Sequence, residues 1–267
     1  MSSQLFGVII LLNESRPLRV YADSKEISSD YRIRVQGRSN MTLLPDFFLV
    51  DIYNVSDFDK VDIRQAKKLS VSGDGGDLLC SGDIEGIYEH EDGTNNIISI
   101  SVSDGQEFWN SRAETTIGGG AYIKDAIRTI LKGADLGVVA CEDIRISRGQ
   151  TFSGRIADIV HTMAVSVRAR AYIAKGVLNV VGKEYTSNVA VVSEDDVIMK
   201  PQYLEKACIL KTKVKGYTVG NVVQYEGIKY RIIVQTINLD NMMGDWNTEM
   251  TLVENEEFIR EGMEGGW

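Results

Sequence analysis

Along the first hundred residues, apolar and polar side chains alternate in short runs bounded by Asn, Asp and Gly. Tyr31-Arg-Ile-Arg-Val35, Phe47-Phe-Leu-Val-Asp-Ile-Tyr53 and Ile97-Ile-Ser-Ile-Ser-Val102 are rich in β-branched and aromatic residues. A period of two built from such side chains suits a half-buried pleated strand. Asp74-Gly-Gly-Asp77 and Glu91-Asp-Gly-Thr94 carry turn chemistry between neighbouring strands. Residues 1–107 are therefore predicted to form one mainly antiparallel β unit.

The period then changes. Behind Gly118-Gly119-Gly120, read as a flexible joint between units, Ile123, Ala126, Ile127, Ile130 and Leu131 recur at helical spacing within Ala121–Lys132. Gly133 suits the residue just past the helix end. A second helix is predicted from Ser153 to Ala164, with Ile156, Ile159, Val160 and Met163 inward. Val167–Ile173 and Gly176–Val181 alternate again and read as a hairpin turning near Lys175-Gly176. Residues 112–187 thus form a small α/β module. Strand patterns return at Cys208–Lys215, Gln224–Tyr225, Lys229–Leu239 and Glu249–Val253, with a loop over Asp240–Asp245. These make a second β unit at 188–253, whose sequence does not align convincingly with the first. The acidic tail, 254–267, places Phe258, Ile259 and Met263 at helical spacing ahead of Trp267. It is either a frayed terminus or a segment that docks on a partner.

Length and composition narrow the class. A chain of 267 residues, 43% apolar and 25% charged, fits two globular domains or one large one. No apolar run approaches the ~18 residues of a membrane span. The run Phe6–Leu12 is short and lacks a basic flank, so a secreted precursor is not expected. The net charge of −9 argues against a phosphate-binding face. The densest basic places are Lys67-Lys68 and the alternating Lys211, Lys213 and Lys215, the latter read as one solvated strand face. Cys80, Cys141 and Cys208 are widely spaced and odd in number, which supports neither a disulfide framework nor a zinc site. Asn13, Asn40 and Asn54 open glycosylation-type triplets that, without a secretion signal, are read as chance.

Catalytic chemistry leaves few traces. His90 falls in the acidic turn Glu89–Asp92, and His161 lies off the inward face of the second helix. No nucleophile elbow accompanies either, and Cys208 within an apolar strand reads as an inert buried thiol. Gly118–Gly120 lack the spacing of a phosphate loop. Asp74, Asp77, Glu194, Asp195 and Asp196 read as surface acids, since sequence places no two of them at a working separation. No catalytic, cofactor-binding or metal-ligating residue is assigned, and no cofactor is expected. Phe47, Phe48 and Trp246 are large enough to anchor a contact but are expected in the core; Gly220 and Gly244 are expected in turns.

The order of segments says more than any single motif. Phe47-Phe-Leu-Val-Asp-Ile-Tyr-Asn-Val-Ser56 is followed by Lys68-Leu-Ser-Val-Ser, Leu78-Leu-Cys-Ser-Gly-Asp-Ile84 and Ile97-Ile-Ser-Ile-Ser-Val-Ser-Asp-Gly105. The helix at 121–132 and the hairpin at Gly176 come next, then Val219-Gly220, Tyr230-Arg-Ile-Ile-Val234 and Gly244-Asp-Trp-Asn-Thr-Glu249. Over residues 30–253 this resembles the baseplate hub proteins of phage tails and contractile injection machines. The sequence is short for that family, and no appended lysozyme or peptidoglycan-binding domain is expected.

The resemblance implies a mainly β fold in which two tail-tube-like antiparallel β-barrels flank a small α/β module lying outside the barrel ring. It implies a homotrimer whose six barrels stack on a hexameric tail tube while its threefold end meets a spike protein. Other baseplate proteins and a tape measure are the further partners. No membrane span and no sequence-specific nucleic-acid binding are expected. It also implies a structural part rather than an enzyme, placed in a virion or tail-like particle and synthesised in a bacterial cytoplasm. The acidic balance would then give the lumen a negative wall that nucleic acid does not stick to. Another tail structural protein (tube or distal tail), a carbohydrate-binding β module and an enzyme are the alternatives.

Overall fold

The computed structural model describes residues 16–27, 30–73, 76–131, 136–186 and 189–255. The run Phe6–Leu12, Asn13, Asp74, Lys132, Gly133 and the tail residues Phe258, Ile259, Met263 and Trp267 lie outside them. The chain is mainly β with an α/β insertion. The first unit runs β1 (Arg19–Ala22), β2 (Lys25–Ile27), β3 (Ile33–Asn40), β4 (Asp46–Tyr53), α1 (Asp57–Gln65), β5 (Lys68–Ser72), β6 (Leu78–Asp92) and β7 (Asn95–Asp104). The insertion follows as α2 (Gln106–Asn110), β8 (Arg112–Ile117), α3 (Ile123–Ile130), β9 (Leu136–Ala140), β10 (Gln150–Arg155), α4 (Ile156–Ser166), β11 (Ala169–Ala174) and β12 (Val177–Gly182). The second unit is β13 (Ala190–Val191), β14 (Gln202–Tyr203), β15 (Ala207–Thr212), β16 (Val222–Tyr225), β17 (Ile228–Asp240) and β18 (Trp246–Glu254).

The two β units share one sheet. Its order is β14-β15-β18-β17-β3-β4-β7-β6-β5-β1-β2, with β16 and then β13 branching from β17. β17 is long enough to serve both units: its first residues pair with β16, and Val234–Asp240 pair antiparallel with Asn40–Arg34 of β3. Each unit wraps its own core, though hydrogen bonding closes neither into a complete barrel among the described residues. Val20, Ile33, Val50, Ile63, Leu69 and Ile100 fill the first. Cys208, Leu210, Val223, Ile232, Met250 and Leu252 fill the second.

The same strand order occurs twice. The first unit reads β3-β4-β7-β6-β5-β1 across the sheet, and the second reads β14-β15-β18-β17-β16-β13, each in the same chain order. Even the irregularities match. β6 carries an extra residue between Ile84 and Gly86, and β17 one between Ile232 and Val234. A bulge reverses the parity of a strand, so Ile84 and Ile87 both face the first core, as Ile232 and Gln235 both face inward in the second. Ile84 therefore corresponds to Ile232, Val102 to Leu252, Phe48 to Cys208 and Gly37 to Tyr203. The repeat invisible in the sequence is plain in the pairing. The units differ at their rims, where β1 joins β5 antiparallel and β13 joins β16 parallel.

The insertion is an independent core with two sheets, β8-β10 and β11-β12-β9, covered by α3 and α4. Ile123, Ala126, Ile127 and Ile130 face inward from α3 as their spacing predicts. The hairpin turns at Lys175 (φ 56) and Gly176 (φ 79) as expected. Its alternation serves two cores: Ala171, Ile173, Leu178 and Val180 face the insertion, while Tyr172 and Val181 face the second β unit.

Several expectations need correction. Gly118–Gly120 do not join units; they lie between β8 and α3 inside the insertion, and Gly120 N–H donates to the Ile146 carbonyl. α4 begins at Ile156, because Gln150–Arg155 pair with β8 instead of starting a helix. His90 lies in β6 opposite Ile97, not in the turn. α1 was absent from the sequence pattern because Ile63 is its single buried residue, with Phe58 and Val61 exposed.

Candidate assembly surface

The central sheet presents a broad outer face. On its outer face, alternate residues form rows across β17, β3, β4 and β7. These are Thr236-Arg38-Phe47-Ser103, Asn238-Gln36-Leu49-Ser101 and Asp240-Arg34-Asp51-Ser99. Phe48 points inward and is buried, whereas its neighbour Phe47 stands on the outer face, 56% exposed. The expectation of two core phenylalanines fails for Phe47 because strand parity sends adjacent side chains to opposite faces. Gly37 is a requirement of this packing: a Cβ there would lie 2.1 Å from Phe48 Cδ1. The outer face is charge-balanced. Arg34 stands between Asp51 and Asp240, and Lys211 of β15 stands opposite Glu249 of β18. The acidic surplus of the chain is not concentrated there.

The β17–β18 loop is a built tip. Asp240 accepts from Arg32 Nη2 at 2.7 Å and from the N–H groups of Met242 and Met243. Burial works to raise the Asp240 carboxyl, but these hydrogen bonds hold it below the ordinary aspartate value. Asn241 adds a second clamp, accepting from the Ile33 N–H at 2.8 Å and donating to the Tyr31 carbonyl. Met242 and Met243 are thereby held exposed at the tip. Trp246, at the base of the loop, is half-buried against the first core, and Gly244 turns the chain at φ 84. Gly220, at φ 82, admits Tyr172: a Cβ there would lie 2.1 Å from its hydroxyl.

The residues singled out as chemically able do not converge. His90 and His161 are exposed on different elements. Cys80 and Cys208 are buried, and burial pushes the Cys80 thiol up to about 12 and the Cys208 thiol also upward. Asp196 accepts from Lys215 Nζ at 2.6 Å and from Ser193 Oγ, and the Lys215 bond chiefly lowers its carboxyl. Lys215 is thus a partner of Asp196, while Lys211 faces Glu249, so the three alternating lysines are not one solvated stripe. Among the described residues no three His, Cys, Asp or Glu side chains gather where they could hold a metal ion. No helix among them is long and apolar enough to cross a membrane.

No protein-family model matches the sequence, and no curated protein does. Solved structures do match in fold. The tail protein from Neisseria meningitidis MC58 superposes with a TM-score of 0.67 at 15% identity, over 92% of this chain and 98% of that one. The 43 kDa tail protein of prophage MuSo2 from Shewanella oneidensis gives 0.67 at 10% identity, over 91% and 98%. The E. coli c3393 protein, a component of the type VI secretion system with structural similarity to the T4 bacteriophage tail proteins gp27 and gp5, gives 0.60 at 9% identity, over 89% and 76%. At these identities the likeness is one of fold: this chain has the fold of phage tail proteins and of a type VI secretion component, in line with the hub resemblance.

Proposed function

We propose that this chain is a structural hub in the baseplate of a phage tail or phage-tail-like contractile particle. In this role it is a homotrimer that adapts a hexameric tail tube to a trimeric spike. The observation that carries it is the strand order that occurs twice in one continuous sheet. Three such chains offer six equivalent β units on one side and three chains on the other, which is the conversion a sixfold tube and a threefold spike require. A tube subunit with a single barrel has no use for the second repeat.

The working units are the two barrels at 1–107 and 188–253, the insertion at 112–187 outside the ring, and the tail at 254–267. Its partners are the tube and spike proteins, other baseplate proteins and the tape measure, and its work is assembly without turnover. The particle's baseplate is its place, after synthesis in the bacterial cytoplasm. The outer sheet face lines the lumen. Its charges are matched, Arg34 beside Asp51, Arg32 with Asp240 and Lys211 opposite Glu249, which makes that wall near neutral. The strongly negative lumen expected from the total charge is therefore withdrawn, and the surplus acid serves solubility.

Light scattering over a concentration series tests the hub directly. A particle near three times 29.6 kDa is expected, with six-lobed rings in images of the same material. A chain that stays at 29.6 kDa at every concentration, and stays so beside a trimeric spike and a tail tube, would overturn it.

A further inference from the structure

The repeat leaves two edges without their counterparts. Inside the chain, the half of β17 nearest its turn, Val234–Asp240, is covered by β3. In the repeat β17 corresponds to β6 and β3 to β14. The matching half of β6, Gly86–Asp92, pairs with β7 on one side and, among the described residues, with no strand on the other. β14 likewise pairs only with β15 among those residues. Open edges of this kind template pairing with another chain.

Resting on the hub function proposed above, we propose that the partner of each edge is a second copy of this chain, the β6 edge of one copy pairing antiparallel with the β14 edge of the next. Transferring the internal register fixes the contacts. Val234 faces Asn40, Thr236 faces Arg38, Ile237 faces Gly37 and Asn238 faces Gln36 inside the chain. The equivalents between copies are Gly86 with Lys206, Tyr88 with Leu204, Glu89 with Tyr203 and His90 with Gln202.

The side chains suit the match. Tyr88 and Leu204 are large apolar groups exposed by 66% and 57% on separate edges, and the register sets them opposite each other. The β6 edge is acidic, with Glu85, Glu89, Glu91 and Asp92, while Lys200 and Lys206 flank β14. At the end of the internal seam Asp240 faces Arg34. At the corresponding end between copies Asp92 faces Lys200, just beyond Pro201, whose missing N–H ends the ladder. Each copy owns one edge of each kind, so the contact is head-to-tail. If it repeats the internal relation between units, it closes into a ring at three copies.

Disulfide trapping tests the seam. Thr236 and Arg38, the internal equivalents of Tyr88 and Leu204, form a non-hydrogen-bonded pair; Cβ atoms of such pairs lie about 4.5 Å apart, at the edge of disulfide reach. Cys80 and Cys208 are buried, so Cys141→Ser removes the remaining, partly exposed thiol. In that background, Tyr88→Cys combined with Leu204→Cys should give, on oxidation, a covalent ladder ending at about three times 29.6 kDa, and neither single variant should. Asp92→Lys alone should weaken trimer formation about tenfold, or ~1.4 kcal/mol, and adding Lys200→Asp should restore it. A trimer by mass that neither cross-links nor responds to the charge reversal would overturn the seam and leave the hub standing. A chain that is monomeric under every condition would overturn both.

Discussion

Asp46 and Asp104 stand directly opposite each other where β4 begins and β7 ends, both almost fully buried. Asp46 accepts from the backbone and side chain of Asn40, and Asp104 accepts from the Gly176 N–H at 2.6 Å, tying the first β unit to the hairpin turn of the insertion. Burial raises both carboxyls to about 6. Hydrogen bonds oppose the rise, and a neighbouring carboxylate adds to it, Asp104 beside Asp46 and Asp83 beside Asp104; Arg38 and Lys175 are the facing cations. Folded, each holds its proton to about pH 6; unfolded, each releases it near pH 4. Between those values the folded state binds more protons, so stability falls as pH rises from about 4 to 6 and is flat above. Asp240 and Asp196, held low, act oppositely but only toward more acid solution. Denaturant unfolding should therefore give a protein on the order of 1–3 kcal/mol more stable at pH 5 than at pH 7.5. Asp104→Asn should shrink that difference, and an unchanged difference would exclude Asp104 as a source. Nothing in the sequence singles out these two acids. Each begins or ends a strand, as turn acids commonly do, and only the β4–β7 register brings them together.

The long hairpins show what each element contributes and what pattern reading misses. Without the extra residue at Ile233, every side chain of β17 beyond it would change faces, turning Gln235, Ile237 and Leu239 away from the cores they now enter. Gln235 would lose its bond to the Tyr217 carbonyl, and Ile237 and Leu239 their places in the first core. Deleting Ile233 should cost more than ~4 kcal/mol, the range reserved for gross core damage. Circular dichroism melts should show loss of the cooperative transition, whereas Ile228→Ala, at an exposed position of the same strand, should melt near the parent. This bulge also explains why the repeat was illegible. Periodicity located β4, β7, α3 and the β11–β12 hairpin, because their apolar side chains recur at a constant period, whichever faces are buried. It failed where the period breaks or the apolar stripe is thin: at the bulged β6, at α1 with its lone Ile63, and at β8 and β10, whose residues are largely solvent-facing; the pattern marks β17 as Lys229–Leu239, but not its bulge. Phe47 departs from expectation for a related reason: composition marks a phenylalanine as core, while only parity decides its face. The candidate surface was least legible of all, because an edge exists only once the sheet order is known.

At the scale of the whole molecule, the proposed hub would be a ring of two alternating seams of unequal strength. The internal seam joins β17 and β3 over seven residue pairs and buries Ile237 and Leu239 in the core of the neighbouring unit. The seam proposed between copies is shorter, running from Gly86 with Lys206 to His90 with Gln202 before Pro201 ends the ladder. Beyond Ile87 its inward residues on β6, Glu89 and Glu91, are charged, Glu89 being engaged by Arg64 and Lys60 of α1. Apolar burial is the larger source of free energy in both, so the ring should part at the seams between copies and leave each chain's two units together. Dilution should release intact 29.6 kDa chains that still unfold in one transition. Hydrogen exchange should locate the cut. Amides of Gly86–Asp92 and of the β14 edge should lose protection on dilution, while Val234–Asp240 stay protected in ring and free chain alike. Loss of protection along β17 before β6 would reverse the ranking of the two seams. It would mean that the units separate within the chain before the copies part. The advantage of the predicted order is that a free chain already holds one correct seam, so assembly has only to repeat a contact that folding has made once.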